Sequence, residues 1–135
     1  GDFRLDNLIV DDHGEIRAVL DWELSTLGSP YADLAYQCAQ WRLPESLRGF
    51  GDLDRRSLGI PTEQEYVETY CGGRGLSGIP HWNCFLAVSL FRLAAICQGI
   101  YRRGLGGNAS NQAALGFGDK VDTIAECAVR ILNEA

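Results

Sequence analysis

The stretch from Asn83 to Arg103 places the first constraint on how this chain can fold. Phe85, Leu86, Val88, Leu90, Phe91, Leu93, Ala94, Ile96, Cys97 and Ile100 cover more than one face of a helix, which predicts a central, largely buried helix. A helix of that kind must be surrounded, and the flanking sequence offers the elements to do it. Ser29-Pro30 puts a hydroxyl at the cap and proline in the first turn, where its missing N–H costs nothing, and predicts a helix to about Trp41. Leu34, Ala35 and Cys38 face its inner side, with Tyr31 a further candidate. Thr62 and Glu65 form a capping-box pattern ahead of Tyr66, Val67 and Tyr70, giving a helix through about Cys71. Asp119 to about Asn133 reads as a last amphipathic helix with Val121, Ile124, Ala125, Ala128, Ile131 and Leu132 inward.

The N-terminal residues carry a different pattern. Leu8-Ile9-Val10 is a short apolar run, Asp11-Asp12-His13-Gly14 has turn chemistry, and Glu15 to Leu20 returns to strand-compatible residues. Together they predict a β-hairpin, which would fold residue 7 and residue 21 back within reach of one ligand. Between the helices, Leu43 to Pro61 reads as an exposed connection long enough for a lid or binding loop. Gly72 to Pro80 breaks the chain again, Gly104 to Gly107 ends the long helix, and Asn108 to Gln112 is polar linker. The fold class is therefore α+β and mainly helical, with hairpin first and helices after. That order is not βαβ, and no Gly-rich dinucleotide or Walker phosphate loop is read in it.

At 135 residues the chain predicts one domain, and 46% hydrophobic with 22% charged residues is an ordinary globular composition. A net charge of −6 argues against a nucleic-acid backbone as partner. Apolar runs are interrupted by polar residues, so no membrane span is expected. Cys38, Cys71, Cys84, Cys97 and Cys127 are scattered without a Cys-x-x-Cys pair, which fits reduced, mostly buried thiols and leads us to expect an intracellular, cytoplasmic setting.

The acid is concentrated at one end. Residues 1–23 hold Asp2, Asp6, Asp11, Asp12, Glu15, Asp21 and Glu23 against Arg4 and Arg17, a net −5 of the total. Phosphoryl transfer needs a carboxylate to orient and deprotonate a hydroxyl, and oxygen ligands to hold magnesium against nucleotide phosphates. Asp2 before a short loop, Asn7 five residues on, and Asp21 at the far foot of a hairpin meet those needs. Read as residues alone, Asp2 and Asn7 could equally cap a turn and Asp21 could end a strand. Asp6 and Asp11 read as turn and surface residues, and Trp22 as packing that fixes the direction of Asp21. Glu23 either approaches the substrate or metal or serves the surface.

Gly1-Asp2-Phe3-Arg4-Leu5-Asp6-Asn7-Leu8-Ile9-Val10 and Leu20-Asp21-Trp22-Glu23 resemble the aminoglycoside phosphotransferase and choline-kinase-like superfamily. Its members have a His-Gly-Asp…Asn catalytic loop followed by an Ile-Asp-Trp or Ile-Asp-Phe metal segment. More narrowly, Gly1 to Ala35, Phe91 to Tyr101 and Gly107-Asn108-Ala109 are similar to kinase-like domains fused to, or encoded beside, acyl-CoA dehydrogenases. The resemblance implies the C-terminal lobe of a protein-kinase-like fold, with the catalytic-loop hairpin at 1–23 bearing the metal site and a helical, substrate-binding part at 29–135. It also implies that Asp2 is the base, that Asn7 and Asp21 hold Mg2+, and that Asp33 braces the catalytic loop from the first helix. The activity implied is ATP-dependent phosphorylation of a small-molecule hydroxyl, a hydroxyacyl-CoA by subgroup. The runners-up are an aminoglycoside as acceptor or a non-catalytic binding module. The lobe that would hold ATP is expected to precede residue 1, leaving this stretch inactive alone.

Arg4 stands where many members of the superfamily have a second histidine; a guanidinium there could meet a carboxylate or phosphate on the acceptor. His13 reads as solvated, and His81 either lines a pocket or is exposed. Arg92, amid Phe91, Leu93 and Ala94, needs a partner, either an internal carboxylate, the favoured reading, or an anionic substrate. Arg102 and Arg103 suit a helix C-terminus and could also touch a coenzyme's phosphates. A crevice between the hairpin, the 43–61 loop and the 83–103 helix is expected to receive the acceptor. The edge left by a missing lobe would favour pairing of two copies.

Overall fold

A computed structural model describes residues 1–106 and 112–134. The Gly107-Asn108-Ala109 similarity and the linker expected from Asn108 lie outside the described residues, except for Gln112, which opens a 3₁₀ turn ending at Phe117. Strands β1 (Leu8–Val10) and β2 (Ile16–Val19) come first, then helices α1 (Pro30–Cys38), α2 (Glu63–Arg74), α3 (Trp82–Leu105) and α4 (Gly118–Asn133).

The long apolar segment does become the central helix. α4 packs along α3, and α1 crosses it. Leu86, Leu90, Ile124 and Ile131 are fully buried where these helices meet, each contributing roughly 1.5–3 kcal/mol by leaving water. Tyr31 of α1 meets Phe85 edge-on at 5.8 Å. The expectation of near-complete burial is corrected, however. Val88 is 67% exposed, Phe91 71% and Ile96 43%, because α1 and α4 cover only part of the helix's girth. By length and composition alone α3 is apolar enough to cross a membrane, with mean hydropathy 1.7 over its most apolar window. Here it is packed by the other helices.

Helix ends follow local chemistry. Proline occupies the first turn of α1, whose last turn tightens into a 3₁₀ turn over Ala39–Trp41. The Thr62 hydroxyl accepts from the Glu65 N–H at 3.1 Å, while the Glu65 carboxylate accepts from the Thr62 N–H at 2.8 Å. Gly75, at φ 65°, closes α2 three residues later than expected. Gly73 to Gly78 fits the letters G-x-G-x-x-G, yet it is the exit of a helix with no strand before it, so the fingerprint's strand–turn–helix context is missing. On α4 the buried stripe is Ile124, Cys127, Ala128 and Ile131, while Ala125 and Leu132, expected inward, are exposed. A 3.6-residue period puts those two beyond the edge of the contact face.

The 43–61 connection is no free lid. Leu43 is buried, and the Phe50 ring meets Trp41 edge-on at 5.3 Å. The Trp41 indole N–H donates to the Pro61 carbonyl at 2.8 Å, and the Gly51 N–H to the Leu43 carbonyl at 2.8 Å. A Cβ at Gly49 would lie 2.0 Å from the Leu43 carbonyl oxygen, so this knot closes only on glycine. Four of the five cysteines are buried and Cys84 is exposed. Burial first, then the Glu63 charge, pushes the Cys38 thiol up to about 12.

Candidate active site

The hairpin is short and irregular. Leu8 pairs with Val19, Ile9 with Ala18 and Val10 with Ile16, so a bulge falls between the last two pairs. Its turn is tied by Asp11, whose carboxylate accepts from the His13 N–H at 2.9 Å, the Glu15 N–H at 3.0 Å and the Arg17 Nε at 2.7 Å. The Glu15 N–H, more than the other two donors, holds the Asp11 carboxyl below its ordinary value. His13 is exposed, as its place in the turn suggests.

Three backbone contacts gather the chemistry-bearing residues at the open end. The Leu20 N–H donates to the Asn7 carbonyl at 2.8 Å, which sets the residue before Asp21 directly against Asn7. Gly1 presses on the 3₁₀ turn Trp22–Leu24: a Cβ there would lie 2.3 Å from the Leu24 carbonyl oxygen. The nitrogen of Gly1 lies 2.9 Å from Asp33 Oδ1, tying α1 to the start of the loop. Residues more than twenty positions apart thus share one small region, and the hairpin is what closes it.

Within that region Asn7 is buried, and both its side-chain hydrogen bonds use the amide nitrogen. Nδ2 donates to the Asp2 carbonyl at 2.8 Å and to Asp2 Oδ2 at 3.1 Å. The Asp2 side chain is only 14% exposed, and Arg4 Nε stands 3.3 Å from the same oxygen without the alignment of a hydrogen bond. Arg4 Nη1 is also 3.7 Å from Asp6. The Tyr36 phenol on α1 is pushed up by burial first and then by the neighbouring Asp2 charge, while Arg92 and Arg4 oppose the shift. Sequence reasoning missed Tyr36; its place one turn after Asp33 on the same helix was the available signal.

Asp21 is exposed and sits in the left-handed region at φ 62°. An aspartate tolerates that conformation better than most residues, and such a kink at the end of a strand turns its side chain out of the ladder. The Trp22 indole N–H donates to the Val19 carbonyl at 2.6 Å, bridging over Asp21. Trp22 is itself 67% exposed, so it fixes this corner by a hydrogen bond and not by the packing expected of it. Glu23 is exposed beside it. His81 is exposed at the entry to α3, with φ 56°. Arg92 finds an aromatic face instead of the internal carboxylate favoured from sequence: its guanidinium lies 4.8 Å from the centre of the Tyr36 ring.

Two separate grooves stand where one crevice bordered by the hairpin was expected. One groove, of about 480 Å³, is lined by Trp41, Arg42, Glu63 and Trp82 among others; the second, of about 570 Å³, runs along α3 past Arg92. Neither includes a hairpin residue or His81. In the first, Glu63 accepts from Arg42 Nη2 at 3.1 Å and from the Trp82 indole N–H at 2.9 Å, while Arg42 Nη1 donates to Glu134 at 3.1 Å. Those charges are already spent on joining α2 to the core and to the C-terminal residues. Among the described residues no three His, Cys, Asp or Glu side chains converge as a metal site.

The sequence profile of the phosphotransferase enzyme family (APH) matches residues 1–69, the half that holds this site. Mouse acyl-CoA dehydrogenase family member 10 is 52% identical over 132 residues, covering 95% of this chain and 12% of that protein. Human acyl-CoA dehydrogenase family member 11 is 41% identical over 135 residues, covering 97% of this chain and 17% of that protein. The probable acyl-CoA dehydrogenase IBR3 of Arabidopsis thaliana is 35% identical over 140 residues, 96% of this chain and 17% of that protein. The chain thus spans less than a fifth of the length of the curated relatives it matches. No solved structure matches it. With its short two-stranded hairpin set on a helical body, the chain belongs to the phosphotransferase enzyme family and its protein-kinase-like fold, beside the kinase-like domains associated with acyl-CoA dehydrogenases.

Proposed function

We propose that this chain is the catalytic-loop lobe of an ATP-dependent phosphotransferase that acts on the hydroxyl of a small molecule, a hydroxyacyl-CoA. The observation that carries the reading is the Asp2–Asn7 pair: a largely buried carboxylate with one oxygen held by an amide N–H at 3.1 Å. An anchored carboxylate keeps its remaining lone pairs in a fixed direction, where one can accept the proton of an acceptor hydroxyl as its oxygen takes the γ-phosphoryl group of ATP and ADP leaves. Arg4 beside it offsets the negative charge and favours an acceptor that is itself anionic. An aminoglycoside, being cationic, is the poorer match for that guanidinium.

Asn7 spends its nitrogen on Asp2, which leaves its side-chain carbonyl oxygen for a hard cation, and Asp21 supplies an exposed carboxylate one residue beyond the Leu20–Asn7 backbone bond. Two protein oxygens of this type, with the rest from water and phosphates, fit Mg2+. The cation, when bound, would neutralise the charge of the transferred phosphoryl group. The dehydrogenase names of the relatives support a CoA-linked acceptor. The residues that hold the nucleotide belong on this reading to a lobe outside 1–135, so the stretch alone should turn ATP over little or not at all.

The test uses the full-length protein with ATP, Mg2+ and a mixture of hydroxyacyl-CoAs and aminoglycosides, read by mass spectrometry for an added phosphate. A phosphorylated acyl-CoA that falls by about 10²–10⁴-fold with Asp2→Asn is the expected result. A phosphorylated aminoglycoside would overturn the acceptor, and no product in either class would favour a binding module.

A further inference from the structure

The exposed stripe of α3 is neither core nor ordinary surface. Val88, Phe91 and Ile96 recur at helical spacing and form the apolar floor of the open groove of about 570 Å³. Arg92 and Arg103 stand in the same groove. Gly99 has no side chain to fill the space between them, and Arg103 folds back over it, with Nη1 3.6 Å from where a Cβ would be. Neither arginine takes part in an ion pair among the described residues. Two guanidinium groups without carboxylate partners among the described residues, one within an apolar strip and one at its C-terminal end, make a surface complementary to a molecule with an apolar arm and negative charge.

The groove meets the surroundings of the site at one residue, Arg92. Arg92 stacks on one face of Tyr36, whose phenol is pushed up by burial first and then by the Asp2 charge. An acceptor lying along α3 would therefore approach the base from the Tyr36 side, and not through the groove at Glu63, whose charges are already paired.

We propose that the α3 groove seats the body of the acceptor. The apolar arm of a hydroxyacyl-CoA lies on Val88, Phe91 and Ile96, and its phosphate-bearing end meets Arg103, with Arg92 between that arm and the base. This rests on the phosphotransferase reading, but it can fail separately. Arg103 stands at the far end of the groove from Tyr36, so changing it leaves the base and its anchors intact.

The experiment has two arms on the full-length protein. In the first, Arg103→Glu raises the acceptor KM about tenfold or more with little change in kcat or in the KM for ATP, whereas Arg103→Lys stays within about threefold of wild type. In the second, an acyl-CoA without a hydroxyl and with a diazirine at the chain end is photolysed on the wild-type protein, and labelled peptides are mapped. Label on the peptides that carry Val88, Phe91 or Ile96, competed by excess acyl-CoA, is expected. Label only elsewhere, or phosphorylation with an unchanged acceptor KM in Arg103→Glu, overturns the groove and leaves the phosphotransferase standing. Competed label on α3 in a protein that phosphorylates no acyl-CoA upholds the groove and overturns the reaction. The wild-type labelling decides even if the glutamate variant fails to fold.

Discussion

Asn7→Asp tests the geometry of the site without needing a substrate. Asn7 Nδ2 lies 3.1 Å from Asp2 Oδ2, so the substitution replaces a donor with a second carboxylate at nearly the same distance. Two unit charges so separated repel by about 1 kcal/mol in water and about 5 kcal/mol at an effective dielectric of about 20. Asn7 is 8% exposed and Asp2 14%, which places the cost between those limits, at about 2–4 kcal/mol. The folded variant relieves this by keeping a proton on the introduced carboxyl at pH values where the unfolded chain has released it. A carboxyl with a raised folded value contributes its stability at low pH and loses it as pH rises. Relative to wild type, Asn7→Asp should therefore be hurt least near pH 4 and progressively more toward pH 7. Asn7→Ala, which only removes the hydrogen bonds, should show a nearly constant deficit of about 1–3 kcal/mol over the same range. Urea unfolding at pH steps, followed by circular dichroism, separates the two. Parallel profiles for both variants would mean that Asn7 does not sit on the Asp2 carboxylate. A divalent cation between the paired carboxylates should restore Asn7→Asp more than Asn7→Ala, so Mg2+ titration gives a second reading of the same contact.

Three further outcomes follow from the packing and the thiols. Leu86→Ala empties a site that is 0% exposed and should cost about 2–5 kcal/mol in urea unfolding, whereas Val88→Ala, on the open stripe of the same helix, should cost far less. Cys84 should react with a thiol reagent in the native protein while Cys38, buried and pushed up to about 12, reacts only on unfolding; equal rates would contradict the burial. Asp11→Asn should flatten the acid limb of the stability profile: a carboxyl lowered from 3.8 stabilises above that value, and its contribution disappears as pH falls through the folded value.

Local chemistry made much of this fold legible. The capping box at Thr62 and Glu65, the proline start of α1 and the turn at Asp11 each satisfy backbone groups within a few residues, so their signals are contained in short windows of sequence. Which face of a helix is covered depends on neighbours far away in the chain. Apolar content alone therefore could not show that Phe91 stays in water while Leu90, one position earlier, is fully buried. The 43–61 connection misled for a related reason: its composition is that of a loop, but Leu43 and Phe50 anchor it to Trp41. At the candidate site, residue type and spacing made Asp2, Asn7 and Asp21 candidates, and the family resemblance implied their roles. Tyr36 was missed because its one signal, a place one turn after Asp33, gains meaning only once Asp33 is seen to face the loop.

The site is assembled by main-chain contacts more than by its side chains, and this has a physical consequence. The Asn7 carbonyl holds Leu20, the Leu24 carbonyl abuts Gly1, and Asp33 reaches the Gly1 nitrogen. The hairpin around them buries little: Leu5, Ile9, Val10, Ile16 and Leu20 are all about half exposed or more. A two-stranded hairpin with so little cover is marginal by itself, so the position of Asp2 depends on a few close contacts near the backbone and not on the helical core. Side-chain changes in the core can then lower global stability while the loop keeps its shape. At Gly1 the reverse holds, because a Cβ there would lie 2.3 Å from a carbonyl oxygen and would displace the loop without touching the core. The stability of this fold and the precision of its site rest on separate sets of residues, joined chiefly through α1, which carries Leu34 and Ala35 on its core side and Asp33 and Tyr36 toward the loop.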